Sequence, residues 1–460
     1  MTVHHAPPAI ADAAVADPTL VKEPVPLSAW LGLGVLFFGT IYATVDRQIF
    51  VIFAEAIKND LGLSDTQLGI LQGVGLTLVG LITVYPIAWI SDRKDRRHVV
   101  GTCMLLWSLA VLGCALSPGF GLLLLFASIV GIGEAGTTPA AYAMIPDLFP
   151  KSARQLANSA YAIAARLAGV LGIYIAGLLI VVVAEVRPLL PAELGAMHEW
   201  RLAFLMTVVF APLAIVPIFL LPRRVAGAPA AHAPVAEQAP APVEGLETVW
   251  QFLTRHRRAW TATMTAALFM AFGSVATAGW APVIAQRYFE QTPQASGEWM
   301  AGVGLASGIA GFLVGAPIMQ WLQPKFGIKT PIYVLAWSLF VQALLALALS
   351  FVRSVPQLYI LWGVQATAGM ISTMTIPTIL QNMAPIHLRS RIFAISSFVG
   401  MAGALSYVAV GFISDRLKDA MDFPLLYSAS VIGFAGLLAG ALLFWRSQDA
   451  YAELALETDA

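Results

Sequence analysis

Charge is what this chain has least of. Asp, Glu, Lys and Arg make up 11% of its 460 residues, against 58% hydrophobic, which leaves too little polar material to cover a soluble globule of this size. The few charges balance, 26 basic against 26 acidic, so composition points neither to nucleic acid nor to a strongly charged surface partner. Cysteine is nearly absent. Cys103 and Cys114 are eleven positions apart, about 16 Å on a helix and too far to bridge each other. No stretch shows strand-like alternation. The histidines, His4, His5, His98, His198, His232, His256 and His387, fall in tails or connections, so neither a metal site nor an acid–base dyad is spaced for use. No catalytic set and no cofactor is expected. The first 27 residues lack a basic region followed by a compact apolar core, so they are expected to be a disordered tail rather than a cleaved signal.

What the chain has instead is long apolar runs. A membrane span needs roughly 20 apolar residues, and windows of that length fit about twelve times: 28–53, 66–90, 98–116, 119–145, 156–184, 201–221, 259–285, 298–322, 331–352, 356–382, 390–414 and 424–445. The expected class is an all-α integral membrane protein, because helices satisfy their backbone internally. Fifteen Lys and Arg lie in loops after even-numbered spans and seven after odd-numbered ones, which puts the first set and both termini in the cytoplasm. Between spans six and seven lies a Pro/Ala tract without a core-forming pattern, expected to be a flexible linker. The expected domains are a cytoplasmic tail (1–27), a six-helix bundle (28–221), a cytoplasmic linker (222–258), a second six-helix bundle (259–446) and a cytoplasmic tail (447–460). Pro150 and Arg154 after span four recur as Pro385 and Arg389 after span ten, a weak internal repeat that supports the division.

Four ionisable residues interrupt the apolar runs: Asp46 and Arg47 in span one, Glu134 in span four and Arg166 in span five. Each costs at least ~3 kcal/mol at mid-membrane depth and so marks a candidate functional site. Neighbours on a helix point about 100° apart, so Asp46 and Arg47 each need another partner. Asp46 and Glu134 are candidates to carry a proton; Arg47 and Arg166 offer forked donors to an anionic headgroup. A static lattice that fixes helix register is the alternative for all four. The second half is expected to contribute an uncharged wall: Ser274, Thr277 and Ala281 with Trp280 beside them, and Gln365, Thr373, Thr375, Gln381 and Asn382 from span ten.

The loop after span two, Ala88 to Arg97 (AWISDRKDRR), resembles the signature G-x-x-x-D-R-x-G-R-R of the major facilitator transporters, with Ala88 and Asp95 in place of two glycines. The resemblance implies a gate on the cytoplasmic side formed by Asp92, Arg93, Arg96 and Arg154. A similar string, Gly411 to Arg416 (GFISDR), falls on the opposite side and is expected to be chance or loop capping. The strings YATVDRQIF around Asp46 and Arg47, LSDTQLGILQG (Leu63 to Gly73), GIGEA (from Gly131), AGVLGIYIAG (Ala168 to Gly177) and GWAP (Gly279 to Pro282) resemble the Spinster branch, in a bacterial form. That resemblance implies two parallel six-helix repeats in a monomer of the bacterial inner membrane. It also implies proton-coupled alternating access and an amphipathic, anionic, lipid-like substrate of the lysophospholipid or sphingoid phosphate class. The alternative is a symporter or antiporter for small organic anions, or for drugs. Implied partners are the substrate, protons and membrane lipids, and no nucleic acid.

Overall fold

The computed structural model describes residues 25–221, 249–385 and 388–459. Within them the side chains of Ala88, Asp92, 135–140, Ala143, Lys151, Ser152, Gln155, Arg166, Ser390 and Asp459 lie outside the described residues. The described residues form helices and no strand. Twelve long helical units follow in order: α1 (Leu27–Ile52), α2 (65–93), α3 (Arg96–Ala115), α4 (Phe120–Leu148), α5 (Lys151–Val186) and α6 (Glu199–Leu220) make the first half. The second half comprises α7 (Arg257–Phe289), α8 (Pro293–Phe326), α9 (Thr330–Ala348), α10 (Val355–Met383), α11 (389–417) and α12 (Pro424–Asp459). Among the described residues nine helical stretches are long and apolar enough to cross a membrane, one of them spanning both α8 and α9.

Local chemistry explains where several of these helices start and break. Ser64 and Gln67 form a reciprocal capping box at the start of α2, which satisfies two orphan N–H donors. Asp95, where the signature has glycine, caps α3 through the Arg97 N–H. Its φ of −63° needs no glycine. The middle of α2, Leu71–Leu78, is wound as a π-helix, the kind of local unwinding often found at functional sites. In α7 the helical hydrogen bonding is interrupted at Gly279–Trp280, one turn ahead of Pro282, which has no N–H to give.

Each half packs mostly on itself, and the internal repeat has a physical form. Arg154 Nε donates to the Phe149 carbonyl over 3.1 Å, and Arg389 Nε donates to the Ala384 carbonyl over the same distance. In both halves an arginine closes the carbonyl end of the preceding helix. Two stretches outside the expected bundles are helical. The end of the linker is helical over Val249–Arg255. The expected tail 447–460 continues α12 as far as Asp459, because Tyr451, Leu454 and Ala455 are buried against the second half and Asn382 donates to the Tyr451 hydroxyl at 2.8 Å.

Candidate functional site

Asp46 and Arg47 leave α1 in different directions and meet different surroundings. Arg47 donates to Glu134 of α4 at 2.9 Å and, with its other terminal nitrogen, to the Thr77 hydroxyl at 3.1 Å. Thr77 sits in the π-wound turn of α2 and itself donates to the Gln72 carbonyl five residues back, so the irregular winding is what aims it at Arg47. The pair is accessible, with side-chain exposures of 35% and 25% for Arg47 and Glu134. The pair is half-buried rather than sealed, so an incoming anion can reach Arg47 and compete with Glu134 for it.

Asp46 is fully buried, and neither carboxylate oxygen makes a hydrogen bond of normal geometry. Trp107 of α3 and Thr207 of α6 stand beside it, and the Tyr42 hydroxyl one turn away bonds Ser108 and the Thr207 carbonyl. An ionised carboxylate in such a place costs several kcal/mol, a cost that a bound proton removes. The expected network of two acids and two bases is therefore divided: Arg47 pairs with Glu134, and Asp46 lies apart, inside the first half. The Arg166 side chain lies outside the described residues.

The two halves meet at one end. Arg287 at the end of α7 forks onto Glu55, at distances from 2.7 to 3.1 Å, and onto Asp65 at 2.8 and 2.9 Å. Lys58 also reaches Asp65, at 2.6 Å. On α11, Ser414 donates to Asp65, while the Asp415 carboxylate accepts from the Asp65 and Thr66 backbone N–H groups and the Thr66 hydroxyl at 2.5 to 2.9 Å. Asp415 is thus an N-cap for α2 supplied by the other half of the molecule. Backbones touch here. A Cβ on Gly411 would lie 2.2 Å from the Asp65 carbonyl oxygen, and one on Gly69 would lie 2.3 Å from that of Tyr407. One apolar core runs across this junction, from Phe50 and Ile52 to Val283 and Leu425, whereas a second core, around Trp260, Leu335 and Tyr451, stays within the second half.

At the opposite, basic end the gating residues expected from the signature bond within the first half. Arg93 lies over the Trp89 ring at 3.8 Å and donates to the Trp89 carbonyl. Arg96 pairs with Asp147 at 3.2 Å, and Arg154 bonds the Phe149 and Pro146 carbonyls. The Asp92 side chain lies outside the described residues. The polar contacts between the halves lie at the other end, where the GFISDR string acts as a cap, the second of its two expected readings, through Asp415. The sequence carried a signal for it: S-x-x-Q at Ser64 marks a helix start facing the loops of the second half, though nothing in the chain says which acid would cap it.

A cavity of about 410 Å³ opens in the second half, walled by α7, α8, α9 and α10 and closed on one side by Ile173 of α5. Thr277, Thr373 and Gln365 line it, together with Trp362 and Gln342, and no lining side chain is charged. Its volume is in the range of small-molecule sites. Trp280 does not line it: the indole is fully buried at the break in α7, 6.2 Å from the Tyr407 ring. Trp362, unremarked in the sequence, supplies the aromatic wall.

Residues 36–405 match the family described as Major Facilitator Superfamily. The chain is 28% identical over 438 residues to an MFS-type efflux pump of Mycolicibacterium smegmatis, covering 93% of this chain and 94% of that protein. It is 25% identical over 435 residues to the sphingosine-1-phosphate transporter SPNS2 of Xenopus tropicalis, covering 88% and 77% respectively. Among solved structures, it is similar to a bacterial homologue of the human lysosomal transporter Spinster in an inward-facing and unoccupied conformation. That likeness has a TM-score of 0.74 at 19% identity and covers 93% of this chain and 97% of that one.

Proposed function

Because the chain belongs to the Major Facilitator Superfamily, and so is a multi-pass membrane transporter rather than an enzyme, we propose that it moves an amphipathic, lipid-like molecule by proton-coupled alternating access. The observation that carries the reading is the contrast between the two halves: an uncharged, largely apolar cavity in the second, and an accessible Arg47–Glu134 pair in the first. An apolar body suits the former; an anionic head, as in lysophospholipids or sphingoid phosphates, suits the latter by competing with Glu134 for the guanidinium. Asp46 is the proposed proton carrier, since it is enclosed and, among the described residues, no cation touches it. By the positive-inside rule the basic end is cytoplasmic, so the joined end faces outward and the described state is inward-open. SPNS2 proteins are named for sphingosine-1-phosphate, which supports the substrate class. Export of drug-like amphiphiles is a second reading, favoured by the apolar cavity and by the similarity to the mycobacterial efflux pump.

The test is transport in proteoliposomes with an imposed proton gradient, comparing a lysophospholipid, a sphingoid phosphate and a soluble dicarboxylate. Gradient-driven accumulation of the lipids and not of the dicarboxylate is expected, and Asp46→Asn should keep substrate binding while losing its pH dependence and the accumulation. Accumulation by Asp46→Asn would move the proton to Glu134. Preference for the dicarboxylate would replace the lipid reading altogether.

A further inference from the structure

The polar groups on the cavity wall have an unequal supply of donors and acceptors. Thr277 donates its hydroxyl proton to the Ser274 carbonyl at 3.1 Å, Ser307 to the Gly363 carbonyl at 3.0 Å and Thr373 to the Gly369 carbonyl at 2.9 Å. The Gln342 amide nitrogen is engaged by Ser338 and Ser372. What these groups retain is lone pairs. Gln365 then fixes the balance. Because the Thr277 proton is spent on a backbone carbonyl, that hydroxyl can only accept, and it accepts from the Gln365 Nε2 at 3.0 Å. The amide is thereby held in one orientation. Its Oε1 is left buried with no hydrogen-bond partner. An amide oxygen kept out of water and unpaired is an unmet demand for a donor, and the last torsion of a glutamine side chain has a well broad enough to tilt that oxygen toward a guest while Nε2 stays on Thr277.

We infer that the group a substrate brings into this cavity is a hydrogen-bond donor, a hydroxyl or an ammonium on an apolar body, received by Gln365 Oε1. The inference rests on the reading of this cavity as the substrate site and names the chemistry that site selects. A carboxylate or phosphate finds no cation among the lining side chains, and the hydroxyl protons of Thr277, Ser307 and Thr373 are already committed; the donors left to it are the neutral Ser274 hydroxyl and Trp362 indole N–H. Any anionic part of the substrate belongs at Arg47, outside this cavity. The two polar recognition points are therefore of opposite sense, donors in the first half and an acceptor in the second. Thr277 acts as a positioning residue, since its hydroxyl sets which end of the Gln365 amide is free.

The experiment uses three probes with one chain and three heads: tetradecylamine, 1-tetradecanol and tetradecanoate. Gly304 lines the cavity, and a Cβ added there meets no atom within 4 Å. Gly304→Cys, in a chain carrying Cys103→Ser and Cys114→Ala, therefore reports occupancy through the rate of maleimide labelling in nanodiscs. At equal membrane concentrations of probe, the amine and the alcohol should protect the cysteine at levels about five- to tenfold below those needed for tetradecanoate, the ratio expected for one hydrogen bond. Gln365→Leu should abolish that preference, and Gln365→Glu, which keeps an acceptor, should preserve it. Equal protection by all three probes, or a donor preference that survives in Gln365→Leu, would overturn the inference while leaving the cavity as the binding site. Protection by none of them would overturn the cavity assignment itself, and the inference with it.

Discussion

Replacing Arg287 by alanine removes the guanidinium that ties α7 of the second half to Glu55 and Asp65 of the first. The side chains of Arg287, Glu55 and Asp65 are 16%, 16% and 5% exposed, so the joined end holds them largely out of water. Removing one member of a buried charge pair costs about 3–5 kcal/mol, because the remaining charge is left uncompensated. Here Lys58 stays 2.6 Å from Asp65, which argues for the lower figure, about 3 kcal/mol. When the halves separate at this end, both carboxylates become hydrated and the loss of Arg287 matters little. The penalty therefore falls on the joined state alone, and about 1.4 kcal/mol per factor of ten makes the shift toward the separated state about 100-fold. Spin labels at the exposed residues Leu189 and Phe351, one on each half, read this as a distance distribution in nanodiscs. Glu55→Gln combined with Arg287→Ala should recover part of the shift, since the stranded charge is then gone. A distribution for Arg287→Ala that matches the parent chain would refute the reasoning and reduce the network to decoration of the loops.

Gly411→Ala forces a Cβ against the Asp65 carbonyl at 2.2 Å, with backbone on both sides unable to give; it should populate the separated state in the same distance measurement without lowering the melting temperature of either half. Trp280→Ala removes a fully buried indole at the α7 break and should cost about 3–5 kcal/mol of stability; thermal denaturation should show the loss, while lipid and soluble substrates are affected alike. Arg47→Ala should weaken binding of an anionic amphiphile about tenfold or more and leave a neutral analogue of the same chain within about twofold, read by equilibrium binding in nanodiscs.

The sequence read alone determined the class of molecule and much of its plan. Apolar runs of span length, a basic bias at alternate loops and a Pro/Ala tract are local properties of the chain, so they can be counted before anything folds. The helix-closing arginines 154 and 389 were legible as a repeat for the same reason: each bonds carbonyls of its own chain only a few residues back. The exceptional residues were legible too, because a charge in an apolar run stands out wherever the run goes. Which charges meet was not. Asp46 and Arg47 are adjacent in sequence, yet one faces the interior of the first half and the other Glu134, since a 100° step on a helix sends neighbours to different walls and only the packing of α2, α3, α4 and α6 says what each wall holds. Asp65 and Asp415 are 350 positions apart, and no spacing rule connects them. The same holds for Gln365, whose free oxygen follows from where Thr277 spends its proton, and for Trp280 and Trp362, equal as aromatic residues in an apolar span. Only the break in α7 turned the first into core, and only the path of α10 past α8 turned the second into cavity wall.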